Sequence, residues 1–246
     1  MRAAWLGLLG VLLLTACEEA ADAPAGPPVA DLFVAHAPLD LPAVVVNDLG
    51  YRIEVDRWVA VSASIELRPC EASASLFWGL IGGTAAAHVT PTIYRAGGSA
   101  QPRDLLGAGA ATLFGQLTPP AGDYCQVRYA SSPADADIEG SGGGASLLGK
   151  SMVISGRYTP RGSEVAVPFS LATTLGTRVD LPEIAATSSA PLFRLRSGER
   201  LAVTVTLEPA AMFEGIDFAL QGPAQVESQL VFNLAGGMQL ELVAEP

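Results

Sequence analysis

One stretch limits the fold more than any other. From Tyr51 to Leu67 the chain reads YRIEVDRWVAVSASIEL, with Tyr51, Ile53, Val55, Val59, Val61, Ala63, Ile65 and Leu67 in one alternating phase. Successive side chains of a strand point to opposite faces, so this pattern predicts a long strand with one buried face. Arg57 beside Trp58 interrupts the phase and predicts a bulge or bend there.

Other segments repeat the signal. YCQVRYA puts Cys125, Val127 and Tyr129 on one face, and LAVTVTLE aligns Leu201, Val203, Val205 and Leu207. EVAVPFSL alternates through Val165, Val167, Phe169 and Leu171, and Pro168 within it predicts an edge strand or bulge. SQLVFNLAGGMQLELV reads as two runs flanking Gly236-Gly237, a hairpin. Helix is sparse: PRDLLGAGAATLFGQL predicts one short helix and EPAAMFEGIDFAL a helical turn. Strands at this spacing, separated by Pro and Gly, predict an all-β chain forming an antiparallel β-sandwich, a single domain over residues 31–246. No period of the length used by solenoids or propellers is present.

The N-terminus predicts where that domain resides. Arg2 precedes the apolar run AAWLGLLGVLLL, which has the length of a signal peptide and is too short to span a bilayer. It closes on Leu14-Thr15-Ala16-Cys17, which resembles the lipobox of bacterial lipoproteins. That resemblance implies removal of residues 1–16, a diacylglycerol on the Cys17 thiol and an acyl group on its new amine. Several acyl chains give stable anchoring, at about 0.8 kcal/mol per buried methylene. Residues 17–30, rich in Ala, Pro and acid, predict a disordered tether. The expected partner is thus the membrane, through the lipid, in the cell envelope. Glu18 departs from the aspartate associated with inner-membrane retention and points to the outer membrane.

Charge and cysteines add bounds. Removing Arg2 leaves 13 basic against 25 acidic residues, a net of −12, which argues against nucleic acid as a partner. With Cys17 acylated, Cys70 and Cys125 remain, and an even pair in an oxidising compartment predicts a disulfide. Gly144 to Ser151 matches the phosphate-loop pattern G-x-x-x-x-G-K-[ST], but its flanks do not supply the strand before and the helix after that the loop needs. The expectation is a loop entering a strand, with no nucleotide and Lys150 solvated.

Catalytic residue types are scarce. The mature chain holds His36 and His88 and no nucleophile elbow, so we expect a binding or structural protein, not an enzyme. MFEGIDF reads as an apolar plug carrying two solvated acids, and Trp58 and Trp78 as core or rim aromatics. Asp135, Asp137, Glu139 and Gly140 imitate the start of a calcium loop, but Ser146 stands where the bidentate glutamate belongs.

The segments NDLGYRIEVDRWVAVSASIELRPC, FGQLTPPAGDYCQVRY, GKSMVISGRYTP and MFEGIDF together resemble exported lipoproteins of myxobacteria and related bacteria. More loosely they resemble the periplasmic methanobactin-associated copper-binding lipoproteins. The first resemblance implies a β-sandwich, and the second a metal-handling role as the alternative to simple binding. Carried onto this chain, that role would fall to His88 with Asp135 and Asp137, one imidazole and two carboxylates, a set suited to zinc or copper(II). An envelope hydrolase is the third possibility.

Overall fold

A computed structural model of the chain describes residues 26–70, 94–97, 100–136, 147–181 and 190–245. Cys17, Trp78, His88, Asp137 and Gly144 lie outside them. In chain order the strands are β1 (Val29–His36), β2 (Ala43–Val46), β3 (Arg52–Pro69), β4 (Tyr94–Ala96), β5 (Gln101–Asp104), β6 (Thr112–Leu117) and β7 (Gly122–Ser131). They continue with β8 (Met152–Thr159), β9 (Val167–Thr173), β10 (Thr177–Leu181), β11 (Phe193–Leu195) and β12 (Arg200–Leu207). A 3₁₀ turn (Ala210–Phe213), helix α1 (Pro223–Gly236) and β13 (Gln239–Glu245) complete the described chain. The fold is all-β, and its first strand starts two residues ahead of the expected boundary at residue 31.

The strands form two sheets. The smaller runs β13-β12-β1-β6; the larger runs β10-β7-β3-β8-β9, with β2, β4 and β5 also paired to β3 and β11 to β7. Pairing is antiparallel except between β1 and β12, which lie parallel from Val29 opposite Arg200 to His36 opposite Leu207. The expectation of a purely antiparallel architecture is corrected there. Both sheets feed one core: Leu32 and Val34 of β1, Val203 and Val205 of β12, and Ile53, Trp58 and Ile65 of β3 belong to one buried cluster. Leu201, Val203, Val205 and Leu207 are all buried, as their alternation predicts. Each such side chain contributes about 1.5–3 kcal/mol on removal from water.

β3 does not keep one phase. Its register against β8 shifts between Val55 and Arg57, the bulge that Arg57 predicts. Beyond it Trp58 and Ala60 face the main core, while Val61 joins a small second cluster with Ala134 and Leu147. A second shift against β7, between Ser62 and Ser64, returns Ile65 and Leu67 to the main core. The alternation of Tyr51 to Leu67 thus serves two opposite faces, because each extra residue flips every following side chain. Gly156 of β8 stands opposite Val55 at the first bulge, and a Cβ on it would overlap the Glu54 carbonyl oxygen.

Cys70 and Cys125 are joined by a disulfide, with Cα atoms 4.7 Å apart. The register of β7 shifts at this point, so Arg68 pairs with Gln126 and Pro69 with Tyr124. Cys125 falls between these pairs, off the face that carries Val127 and Tyr129. β9 borders only β8, so Pro168 lies on an edge strand as expected.

Two segments depart from expectation. The stretch before Gly236-Gly237 is the helix α1, not the first arm of a hairpin, and it buries Val226, Leu230, Val231 and Leu234 at helical spacing. Pro223 opens it, where a missing N–H costs nothing, and the Gln225 side chain accepts the Gly222 N–H at 3.0 Å. PRDLLGAGAATLFGQL holds the end of β5 and the whole of β6, and no helix.

The MFEGIDF segment is a plug, as expected. Met212, Phe213 and Ile216 are fully buried, and the Trp58 ring meets Phe213 edge-on at 5.2 Å. Asn47 pins it: its side-chain nitrogen donates to the Phe213 and Ile216 carbonyls at 3.1 and 2.9 Å, and its oxygen accepts the Tyr51 N–H. Glu214 is exposed, but Asp217 accepts the Tyr51 hydroxyl at 2.7 Å, so only one of the two acids is simply solvated.

Candidate functional site

The site begins with three consecutive residues of β5. Gln101, Pro102 and Arg103 stand opposite Ser62, Val61 and Ala60 of β3. Directly opposed residues share a face, so Arg103 projects on the same side as Ala60, into the space between the sheets. Its guanidinium carbon lies 5.8 Å from the centre of the Phe114 ring, which β6 contributes from the smaller sheet. Gln101 bridges the same gap, donating to the Phe114 carbonyl at 3.1 Å and accepting from Arg103 Nη2 at 2.7 Å.

At this end of the intersheet space lies an open cleft of about 230 Å³. Val34 and His36 from β1, Pro102 and Arg103 from β5, and Leu105 and Ala110 beyond it form most of its wall. His36 continues the inward phase of Ala30, Leu32 and Val34 at the end of β1, and its Nδ1 is 3.1 Å from the Ala37 carbonyl oxygen. A proton on Nδ1 donates there, which leaves Nε2 as the free ring nitrogen. Gly109, at φ +71°, lets the following loop close over the His36 backbone; a Cβ there would overlap the His36 carbonyl oxygen.

The electrostatics of the cleft are unusual for this chain. Several other arginines are matched with acids: Arg128 grips Asp180 at 2.6 Å, Arg194 Asp123 at 2.5 Å and Arg200 Asp31 at 2.5 Å, while Arg161 and Arg178, which form no ion pair among the described residues, are exposed. Among the described residues no carboxylate lies within ion-pair distance of Arg103. Its Nε is buried with no hydrogen-bond partner among them. Burial pushes the guanidinium below its ordinary pKa, yet an arginine remains charged at neutral pH. Tyr129 supplies no counter-charge, since burial raises its hydroxyl to about 12, against the opposing effects of Ser62 and Arg103. That hydroxyl is held by Ser62 at 2.8 Å. Asp104 is on the rim, where its carboxylate accepts the Leu106 N–H at 3.0 Å.

A second cleft, about 250 Å³, opens between β10, β13 and the end of α1. Val179, Leu181, Met238, Leu240 and Leu242 line it, and it offers no charged group to orient a ligand.

The residues singled out from sequence fall elsewhere. Asp135 is exposed just after β7, while His88 and Asp137 lie outside the described residues. Among the described residues no three His, Cys, Asp or Glu side chains gather as a metal site. In the phosphate-loop match, Gly149 makes a turn and Ser151 leads into β8, a strand where that loop requires a helix. Ser151 is buried and its hydroxyl donates to the Thr173 and Leu175 carbonyls, while Lys150 is half-buried, not fully solvated. Arg103 escaped the sequence reading because QPRD has no alternation, and the surrounding stretch reads as helix. His36 was visible only as a histidine beside the tether.

Comparison with protein-family models, with characterised proteins and with solved structures returns no match to this chain.

Proposed function

We propose that this chain is a lipid-anchored protein of the cell envelope that binds a small ligand in the cleft between β1 and β5. Its Cys17 carries the lipid, the residues before β1 form the tether, and the β domain works by binding without turnover. The observation that carries the reading is Arg103. A partly desolvated cation with no carboxylate partner among the described residues is costly to hold, and the same residue replaced by an apolar one costs nothing of the kind. Its position on an open cleft of about 230 Å³ accounts for its retention where packing alone does not. The signal-like N-terminus and Leu14-Thr15-Ala16-Cys17 support the anchor.

Two measurements test this. Cys17→Ala should abolish labelling by a fatty-acid analogue and release the protein from membranes; continued labelling and membrane association would refute the anchor. Native mass spectrometry of protein extracted gently from membranes should show a small bound mass that is lost in Ala110→Trp, which fills the cleft. A mass unaffected by Ala110→Trp would place the ligand elsewhere.

A further inference from the structure

The cleft's chemistry also defines what it takes, if the binding reading above holds. We infer that its ligand is a small organic carboxylate, a monoanion, whose carboxylate meets the Arg103 guanidinium. Three observations lead there: the charge of the wall, the number of cations on it and the nature of the rest.

The charge decides the sign. Arg103 brings a permanent positive charge to the cleft with one neutral acceptor, Gln101, and among the described residues no carboxylate within ion-pair distance; Asp104, an acid of the lining, stays at the rim. A guanidinium offers N–H donors only and matches a carboxylate in shape, so an oxyanion supplies the missing acceptor and the missing charge together. A cation would be repelled, and a neutral solute would leave the charge as it stands.

The count of cations decides the valence. Among the described residues of the wall Arg103 is the sole arginine or lysine, and the others that can carry charge are His36 and Asp104. The acidic Asp104 at the rim opposes a dianion. Among the described lining residues none begins a helix, a device by which phosphate is often held. A single negative charge fits this balance better than two.

The remaining wall decides the body. Val34 and Leu105 are buried and close the wall from the core side, leaving small apolar surfaces such as Pro102 and Ala110 on a wall whose exposed part is more polar than apolar. The volume is below the roughly 300–1,000 Å³ of sites that take drug-sized ligands, so the body is small. His36 Nε2 adds one polar contact on the opposite wall for a second group on the ligand.

Equilibrium dialysis of the full chain in mild detergent tests the inference, with isotopically labelled benzoate, benzamide and inorganic phosphate as probes. Benzoate should be retained, and benzamide, of the same shape without the charge, about tenfold less tightly or worse. Arg103→Met should weaken benzoate by about tenfold or more, Arg103→Lys should recover part of it, and Ala110→Trp should abolish it. Should Arg103→Met fail to fold, the other two variants still decide the matter. Benzamide retained as well as benzoate, or phosphate retained in preference to it, with either lost in Ala110→Trp, overturns the carboxylate inference and leaves the cleft a binding site. Retention of none of the probes overturns the inference and removes the support for the cleft together. Benzoate retention unchanged in Arg103→Met overturns the role of the guanidinium.

Discussion

Replacing Asn47 with alanine isolates the energetic weight of one buried side chain that holds the plug to the larger sheet. Asn47 is only 6% exposed and makes three hydrogen bonds through its amide. Truncation does not orphan all three partners, because the Phe213 carbonyl still accepts the Ile216 N–H at 3.2 Å. The Ile216 carbonyl and the Tyr51 N–H are left facing a void too confined for bulk water. An unpaired buried polar group costs about 1–3 kcal/mol, so the two together amount to about 2–6 kcal/mol. In a domain of this size that lowers the thermal midpoint by roughly 4–24 °C. Asn233 is the control: its nitrogen donates to the Met212 and Glu214 carbonyls at 2.9 and 2.7 Å, but the site is partly exposed. Water replaces the lost donor there, and Asn233→Ala should cost less than about 1 kcal/mol. Thermal unfolding followed by circular dichroism separates the two variants. Equal shifts, or an Asn47→Ala midpoint at the wild-type value, would refute the argument that burial decides the cost.

The disulfide closes a loop of 55 residues, so Cys70→Ala with Cys125→Ala should lower stability by about 4 kcal/mol in the chain-entropy model; urea midpoints measure it, and non-reducing peptide mapping should recover the two cysteine peptides linked. Gly156→Ala drives a methyl group into the Glu54 carbonyl at the bulge and should cost at least about 2 kcal/mol, seen as a lower thermal midpoint with the fold retained. Burial raises the Asp31 pKa, but hydrogen bonds from Arg200 at 2.5 Å and Gln116 at 2.6 Å outweigh it and leave the carboxyl below its ordinary 3.8. A folded pKa below the unfolded one adds stability that is fully present above the unfolded value and fades as pH falls toward the folded one. Urea midpoints of Asp31→Asn should therefore depend less steeply on pH through the acid range than those of the wild type.

The strands were legible in the sequence wherever alternation met a single buried face. Leu201 to Leu207 is the clearest case, and the Arg57 interruption announced a true bulge. What lay beyond local pattern was not legible. The second shift in β3, at Ser62 and Ser64, leaves no mark because Ser and Ala suit either face. The helix α1 was missed because SQLVFNL serves a strand as well as a helix at that length, and Gly236-Gly237 imitates a hairpin turn. The Gly222-Pro223 start and the spacing of Val226, Leu230 and Leu234 were the signals for it. Parallel pairing of β1 with β12 joins segments far apart in the chain, which no local period encodes. The cleft depends on the same kind of pairing: QPRD is a strand only because β3 templates it, and Arg103 reaches the intersheet space only as a consequence.

The most direct test of the account is the stability of the ligand-free Arg103→Met protein. If Arg103 is kept for a ligand, its removal relieves a partly desolvated charge and forfeits the contact with Phe114, worth about 0.5–1 kcal/mol. The two effects oppose each other, so the thermal midpoint should stay within about 3 °C of the wild type, or rise. A loss of more than about 2 kcal/mol, a fall of roughly 6 °C or more, would make Arg103 a structural residue and contradict the assignment of this cleft as the ligand site.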